Sequence, residues 1–281
     1  MHRNRMRAVA LLGAVSVGAM ALAVPWGWPG IVLAVLAVSA VLGCVCLRGD
    51  VIVLRAMRAY PVGEAEQPAL YRAVRELSVA ARVPMPTIHV SPTRAVNSFA
   101  VGRRPARAAV CCTEGALALF DERELRAVVG HELAHIRRRD TLVGAAVAVV
   151  ASLVMAPTGA NAFAPGPGRA GPGRAARLLL VVLAPLAAGI VRAGVGSRRE
   201  YDADADAARI TGDPLGLASA LRQVDHSTRR LVLPPERQIV AMSHLMLATP
   251  VHRAGVARLF GTHPPMAERV ARLEQRAGYR R

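Results

Sequence analysis

The chain has 281 residues and a formal net charge of +17, from 36 basic side chains, all of them arginine, against 19 acidic ones. Apolar residues make up 53% of it and aromatics only 4%, so Ala, Val and Leu carry the hydrophobicity. A disordered chain, which is poor in apolar residues, is excluded, and four Cys are too few for a disulfide scaffold.

The apolar residues come in blocks. Residues 8–24, 31–47, 141–157 and 178–191 carry no charge. Each has about 14–19 residues, at or just below the roughly 17–25 that cross a bilayer, and about four transmembrane helices are expected. The first two blocks are separated only by Pro25-Trp26-Gly27-Trp28-Pro29-Gly30, which holds both tryptophans of the protein. Interfacial tryptophans at a tight turn read as a helical hairpin. For the first block a cleaved signal peptide is the alternative, with Arg3, Arg5 and Arg7 ahead of it and Ala21-Leu22-Ala23 as the cleavage site.

The flanks predicted to lie on one side carry eleven arginines: Arg3, Arg5, Arg7, Arg48, Arg55, Arg58, Arg137, Arg138, Arg139, Arg198 and Arg199. The opposite side carries three, Arg169, Arg174 and Arg177. This asymmetry puts residues 48–140 and the C-terminal region in the cytoplasm, in a multi-pass protein of the cell membrane. The arginines are spread along the chain without a nucleic-acid-binding module, so no nucleic acid partner is expected. Attraction to anionic lipid headgroups is.

Between the blocks, residues 66–82 place Leu70, Val74, Leu77 and Ala81 on one helical face, and Pro84 and Pro86 end that helix. Strands are expected at 87–91, 95–101 and 108–113, separated by Pro92 and by turn signals at 102–105. Asp121 followed by Glu124 opens a helix with a capping-box pattern. That helix is expected to run through residue 139 straight into the third apolar block. Five Gly and four Pro make 157–177 a loop. Helices are expected again at 197–211, 214–230, 236–248 and 264–277. The fold class is mainly α with a small β-sheet, in an integral membrane protein. It divides into a transmembrane hairpin (1–50), a first catalytic part (51–140), a transmembrane helix pair with its loop (141–196) and a second catalytic part (197–281).

The chemical signal is His131-Glu132-Leu133-Ala134-His135. Histidines four apart project from one helix face, so both imidazoles reach one zinc ion while Glu132 is left to take the proton of the attacking water. Two histidines on a solvated helix face are the bland alternative. A catalytic zinc needs a third protein ligand and an open position. Glu200 is the candidate, because it follows the fourth apolar block closely while His135 precedes the third, so both emerge on one membrane face. Asp204, one turn on, and Asp140 are candidates to orient ligand histidines through the far ring nitrogen; ion pairs with arginine are the alternative for each. His2, His89, His226, His244 and His252 lack ligand spacing.

Four motifs in order, Asn97-Ser98-Phe99-Ala100-Val101-Gly102, the His131 motif with Asp140 after it, Arg199-Glu200-Tyr201-Asp202-Ala203-Asp204, and Thr262-His263-Pro264-Pro265 with Glu268-Arg269-Val270, carry a family resemblance. Over about residues 55–277 the chain resembles the HtpX-type membrane zinc metalloproteases and, more distantly, the membrane proteases of prenylated (CAAX) proteins. The resemblance implies a zincin-like helical catalytic domain with one zinc held by His131, His135 and Glu200. It makes Glu132 the general base and puts Asp204 behind a ligand. Asn97 would lie on a strand that binds substrate backbone, His263 near the active site as oxyanion donor, gate or fourth ligand, and Arg269 against acidic residues. Ser98 departs from the family pattern, where Ala is more usual.

The expected activity is zinc endopeptidase action on membrane or misfolded proteins at the cytoplasmic surface, in protein quality control. A regulatory protease for one dedicated partner and a non-catalytic zinc scaffold are the alternatives. The sequence leaves the oligomeric state open.

Overall fold

The computed structural model describes residues 23–158, 173–194, 198–228, 243–248 and 263–279, with isolated positions beside these. Most of the first apolar block, most of the 157–177 loop and residues 236–242 of the helix expected at 236–248 lie outside the described residues. Residues 243–248 form a short 3-10 turn and an isolated β-bridge, not the end of a helix.

The architecture is mainly helical with one small mixed sheet. Helix α1 (Gly27–Ala56) takes in the second apolar block and continues past Arg48 and Asp50, about 45 Å in all. Helix α2 (Pro68–Ala81) buries Leu70, Val74, Leu77 and Ala81 as its periodicity predicts. Strands β1 (Tyr60–Pro61), β2 (Thr87–Ser91), β3 (Ser98–Gly102) and β4 (Ala108–Thr113) form the sheet in the order β1-β2-β4-β3. β2 and β4 are parallel, and the other pairs are antiparallel. β3 is therefore an edge strand. Neither β1 nor the short helix α3 (Glu114–Leu119) is signalled in the sequence pattern; α3 is capped by the Thr113 hydroxyl.

Helix α4 (Glu122–Arg138) begins in the expected capping box. Asp121 accepts from the Glu124 amide at 2.7 Å, and its own amide donates to the Glu124 carboxylate at 3.3 Å. The expectation that this helix runs straight into the third apolar block is not met. Arg139 adopts a left-handed conformation (φ 60°), α4 ends at Arg138, and α5 (Asp140–Val154) starts anew. At 15 residues, about 22 Å, α5 falls short of a bilayer span, and eleven of those residues are buried. Helices α6 (Arg174–Gly194), α7 (Arg198–Thr211), α8 (Pro214–Thr228) and α9 (Met266–Arg276) complete the described chain.

Two helices among the described residues are long and apolar enough to cross a membrane. One window, Val24–Val41, is wholly unburied; the other, Arg174–Ala193, buries only 22% of itself. The buried part of α6 is a stripe of Ala184, Ala187, Ala188 and Val191, and the small side chains let it approach Val147, Ala148 and Ala151 of α5. Leu178, Val181, Val182 and Leu186 face outward.

The sheet divides two cores. On one face Ile88, Ala100, Val110 and Cys112 meet α2, α4, α7, α8 and α9. On the other, Phe99, Val101, Ala109 and Cys111 meet Val53 and Met57 from the end of α1, together with α5 and α6. Alternation along β3 and β4 assigns successive side chains to opposite cores, so the strand next to α4 also touches the apolar helices. At the end of β3, Gly102 has φ +142°, and a Cβ there would lie 2.5 Å from the Arg107 carbonyl oxygen. Gly102→Ala is accordingly expected to lower stability by about 1–3 kcal/mol, read as a fall in the unfolding midpoint of the detergent-solubilised protein.

Candidate metal centre

The two histidines are set by the helical repeat of α4, and the third group is set by α7, which packs across it. Gly130 makes the approach possible: a Cβ there would lie 2.7 Å from Thr211 Cγ2 and 3.7 Å from the Ala207 carbonyl oxygen of α7. Asp206 of α7 then accepts from Arg137 at 2.5 Å and from Arg138 at 3.1 Å, fixing the two helices in register.

This packing brings His131, His135 and Glu200 together, with one ligand atom from each within 4.8 Å of the others. The Nε2 atoms of the two rings face each other at 3.1 Å. Glu200 Oε2 lies 3.6 Å from Nε2 of His131, and Oε1 lies 3.6 Å from Nε2 of His135. Each ring turns its other nitrogen to a carboxylate: His131 Nδ1 is 3.0 Å from Asp204 Oδ1, and His135 Nδ1 is 3.1 Å from Asp140 Oδ2. A carboxylate facing Nδ1 orients the ring and directs Nε2 toward a metal. Two ring nitrogens at this distance, beside a buried carboxylate oxygen, form a compact set of donor atoms. The donor set of two imidazoles and one carboxylate fits a divalent metal of the zinc type.

The carboxylates are buried and compensated. Burial alone would raise Glu200, but His263, His135 and Arg269 outweigh it and hold the carboxyl well below the usual range. Asp204 is depressed likewise, with burial overcome mainly by Arg269, which donates from Nε and Nη2 at 2.8 and 2.7 Å. Arg269 is wholly buried and also donates to the Leu247 carbonyl at 3.0 Å. Glu132 goes the other way: burial pushes its carboxyl up, against the pull of His131, His135 and Ser98.

The remaining sequence candidates are distributed as follows. His263 Nδ1 lies 3.4 Å from Glu200 Oε2, and its Nε2 faces the Ser243 carbonyl at 3.3 Å. Asn97 lies one residue before β3, fully buried, and its carboxamide donates to the Ala248 carbonyl at 3.0 Å and accepts from the Ala248 amide at 3.3 Å. The Leu247 amide donates to the Ser98 carbonyl at 3.0 Å. Asn97 thus binds residues 246–248 of this chain along the edge of β3.

Three residues near the site carry no sequence signal of their role. Ser98 donates to Glu132 Oε1 at 2.5 Å. Arg199 donates to the Asp140 carbonyl at 3.0 Å and tethers the start of α7 to the start of α5. His244, set aside for want of ligand spacing, is buried with Nε2 against the Gly144 carbonyl. It lines the recess beside His135 and Glu200. These contacts span 34 to 100 positions, beyond the reach of local pattern.

The sequence model described as Peptidase family M48 matches residues 64–277. A Protease HtpX homolog of Kineococcus radiotolerans is 50% identical, covering 100% of this chain and 99% of that one. A Protease HtpX homolog of Paenarthrobacter aurescens is 50% identical over 82% of this chain and 80% of that one. Among solved structures, the crystal structure of S. mikatae Ste24p aligns at a TM-score of 0.46 and 14% identity, over 85% of this chain and 57% of that one.

Replacing the carboxylate behind a ligand imidazole weakens metal binding about 10–100-fold. Asp204→Asn is expected to show that loss in chelator competition. It should also unfold at lower temperature, because Arg269 keeps its charge and loses its counter-charge.

Proposed function

The chain belongs to peptidase family M48, and from that premise we propose that it is a membrane-embedded zinc endopeptidase of the HtpX type, acting at the cytoplasmic surface. The observation that carries the reading is the pair of imidazole Nε2 atoms, 3.1 Å apart, with Glu200 oxygens 3.6 Å from each. Bound by His131, His135 and Glu200, zinc supplies a Lewis acid for the scissile carbonyl and acidifies water.

The chain's own groups do the rest. Glu132, buried between the ligands and raised by that burial, takes a proton from the attacking water and passes it to the leaving amine. Asp204 and Asp140 hold the ligand rings by their far nitrogens. His263, beside Glu200, is the candidate donor to the carbonyl oxygen as it gains charge. Substrate backbone would add along the β3 edge beyond the stretch that residues 246–248 cover. There Ala100 lies between Ser98, whose carbonyl accepts from Leu247, and Gly102, whose carbonyl accepts from Thr141 at 2.7 Å. Asn97 supports that edge by holding residues 246–248 to it.

In this reading the catalytic body is assembled from residues 51–140 and 197–281, with 141–196 between them. The fourth apolar block meets the bilayer as α6, beside the hairpin, and the short α5 packs between α6 and the catalytic body. The sidedness rests on the arginine asymmetry. Substrates are membrane proteins and misfolded polypeptides that reach the site along the membrane, and the role is quality control.

The test compares the parent with Glu132→Gln and Glu200→Ala, each purified in detergent with a chelator and then given zinc. The parent should cleave casein or itself only when zinc is restored. Glu132→Gln should keep its zinc and lose about a thousandfold in rate. Glu200→Ala should lose zinc; a Glu200→Ala protein that bound zinc as tightly as the parent would overturn the ligand assignment.

A further inference from the structure

Ser98 opens β3, and the structure gives its hydroxyl a partner in the candidate metal centre. Its side chain is fully buried, and Oγ donates to Glu132 Oε1 at 2.5 Å. Its main chain is fixed at both ends: the amide donates to Asn97 Oδ1 at 3.1 Å, and the carbonyl accepts from the Leu247 amide at 3.0 Å. The hydroxyl therefore projects from a backbone held on both sides toward the Glu132 carboxylate. An Ala at this position would leave Glu132 Oε1 without that donor in a fully buried setting.

We propose that Ser98 is a positioning residue for the reaction: its hydroxyl fixes the Glu132 carboxylate by Oε1, so that Oε2 is the oxygen that receives and returns the proton. This rests on the reading of Glu132 as general base. In the forward step the water oxygen forms its bond to the scissile carbon as its proton goes to Oε2. The C–N bond then breaks as that proton goes to the departing nitrogen. Ser98 keeps its own proton throughout and is a donor in both steps.

A charged hydrogen bond of this kind has two opposed effects. It stabilises the anion, which makes Glu132 a weaker base, and it removes the freedom of the carboxylate to rotate away from the water. Orientation dominates here because the carboxylate is buried against a rigid strand, where a misplacement of about 1 Å costs as much as a hundredfold in rate. The two effects predict opposite outcomes for Ser98→Ala: faster if basicity governs, slower if position governs.

The experiment uses the full chain in detergent, loaded with zinc. Ser98→Ala is expected to keep its zinc content and unfolding temperature, to keep KM, and to lose kcat by between about tenfold and a hundredfold. Ser98→Thr, which retains a hydroxyl on the same carbon, should recover much of that loss. The affinity of a simple hydroxamate, whose bound form shares its proton with the base carboxylate, should fall in Ser98→Ala by a similar factor when measured by calorimetry. Unchanged or increased kcat, or an unchanged hydroxamate affinity, overturns the proposal. Were parent and Glu132→Gln alike unable to cleave casein, the endopeptidase reading would fail, and the hydroxamate titration alone would still decide for or against Ser98.

Discussion

The structure is organised around carboxylates that have been taken out of water beside one another. Glu132, Asp140, Glu200 and Asp204 are each at most 4% exposed. Isolated buried carboxylates would protonate or unfold the chain. The guanidinium of Arg269, also fully buried, answers Asp204 and lies 3.5 Å from Glu200, and Arg199 lies 3.5 Å from Asp140. Nδ1 of each ring faces an aspartate, so the same carboxylates orient both imidazoles.

That electrostatic demand explains why the helices cross as they do. α9 reaches the site through Arg269, α7 through Glu200 and Asp204, and α4 through its histidines and Glu132. Removing any one of these leaves a buried charge without its partner. The surrounding core is built from small residues. Gly130, Ala134, Ala203 and Ala207 are buried between α4 and α7 or beside them, and small side chains let charged atoms approach to hydrogen-bond distance.

Much of this was legible in the sequence where the signal is local. The period of Leu70, Val74 and Leu77, the Asp121–Glu124 box and the four-residue spacing of His131 and His135 each depend on neighbours within a turn or two. Glu200 was reachable because it follows the fourth apolar block as closely as His135 precedes the third, and Asp204 lies one turn on. The break at Arg139 was not legible: left-handed residues ending helices are usually Gly. Here Arg139 occupies that conformation, as do Arg58 and Arg82 near other helix ends. The brevity of α5 followed from that break. The bond between Asn97 and Ala248 joins positions 151 apart, and nothing within either segment announces the other.

The left-handed Arg139 also governs what happens between the ligand helix and the apolar helix that follows. In one continuous helix, residues five apart are separated by about 140° around the axis, and Asp140 could not have met His135. The turn at Arg139 folds the first residue of α5 back beneath the last ligand of α4, and the 3.1 Å contact spans the joint itself. The angle between the two helices and the orientation of the His135 ring are therefore one mechanical variable. The same joint also carries the bonds from Arg199 to the Asp140 carbonyl and from Thr141 to the Gly102 carbonyl, so the start of the apolar helix is tied to the ligand helix, to α7 and to β3 at once.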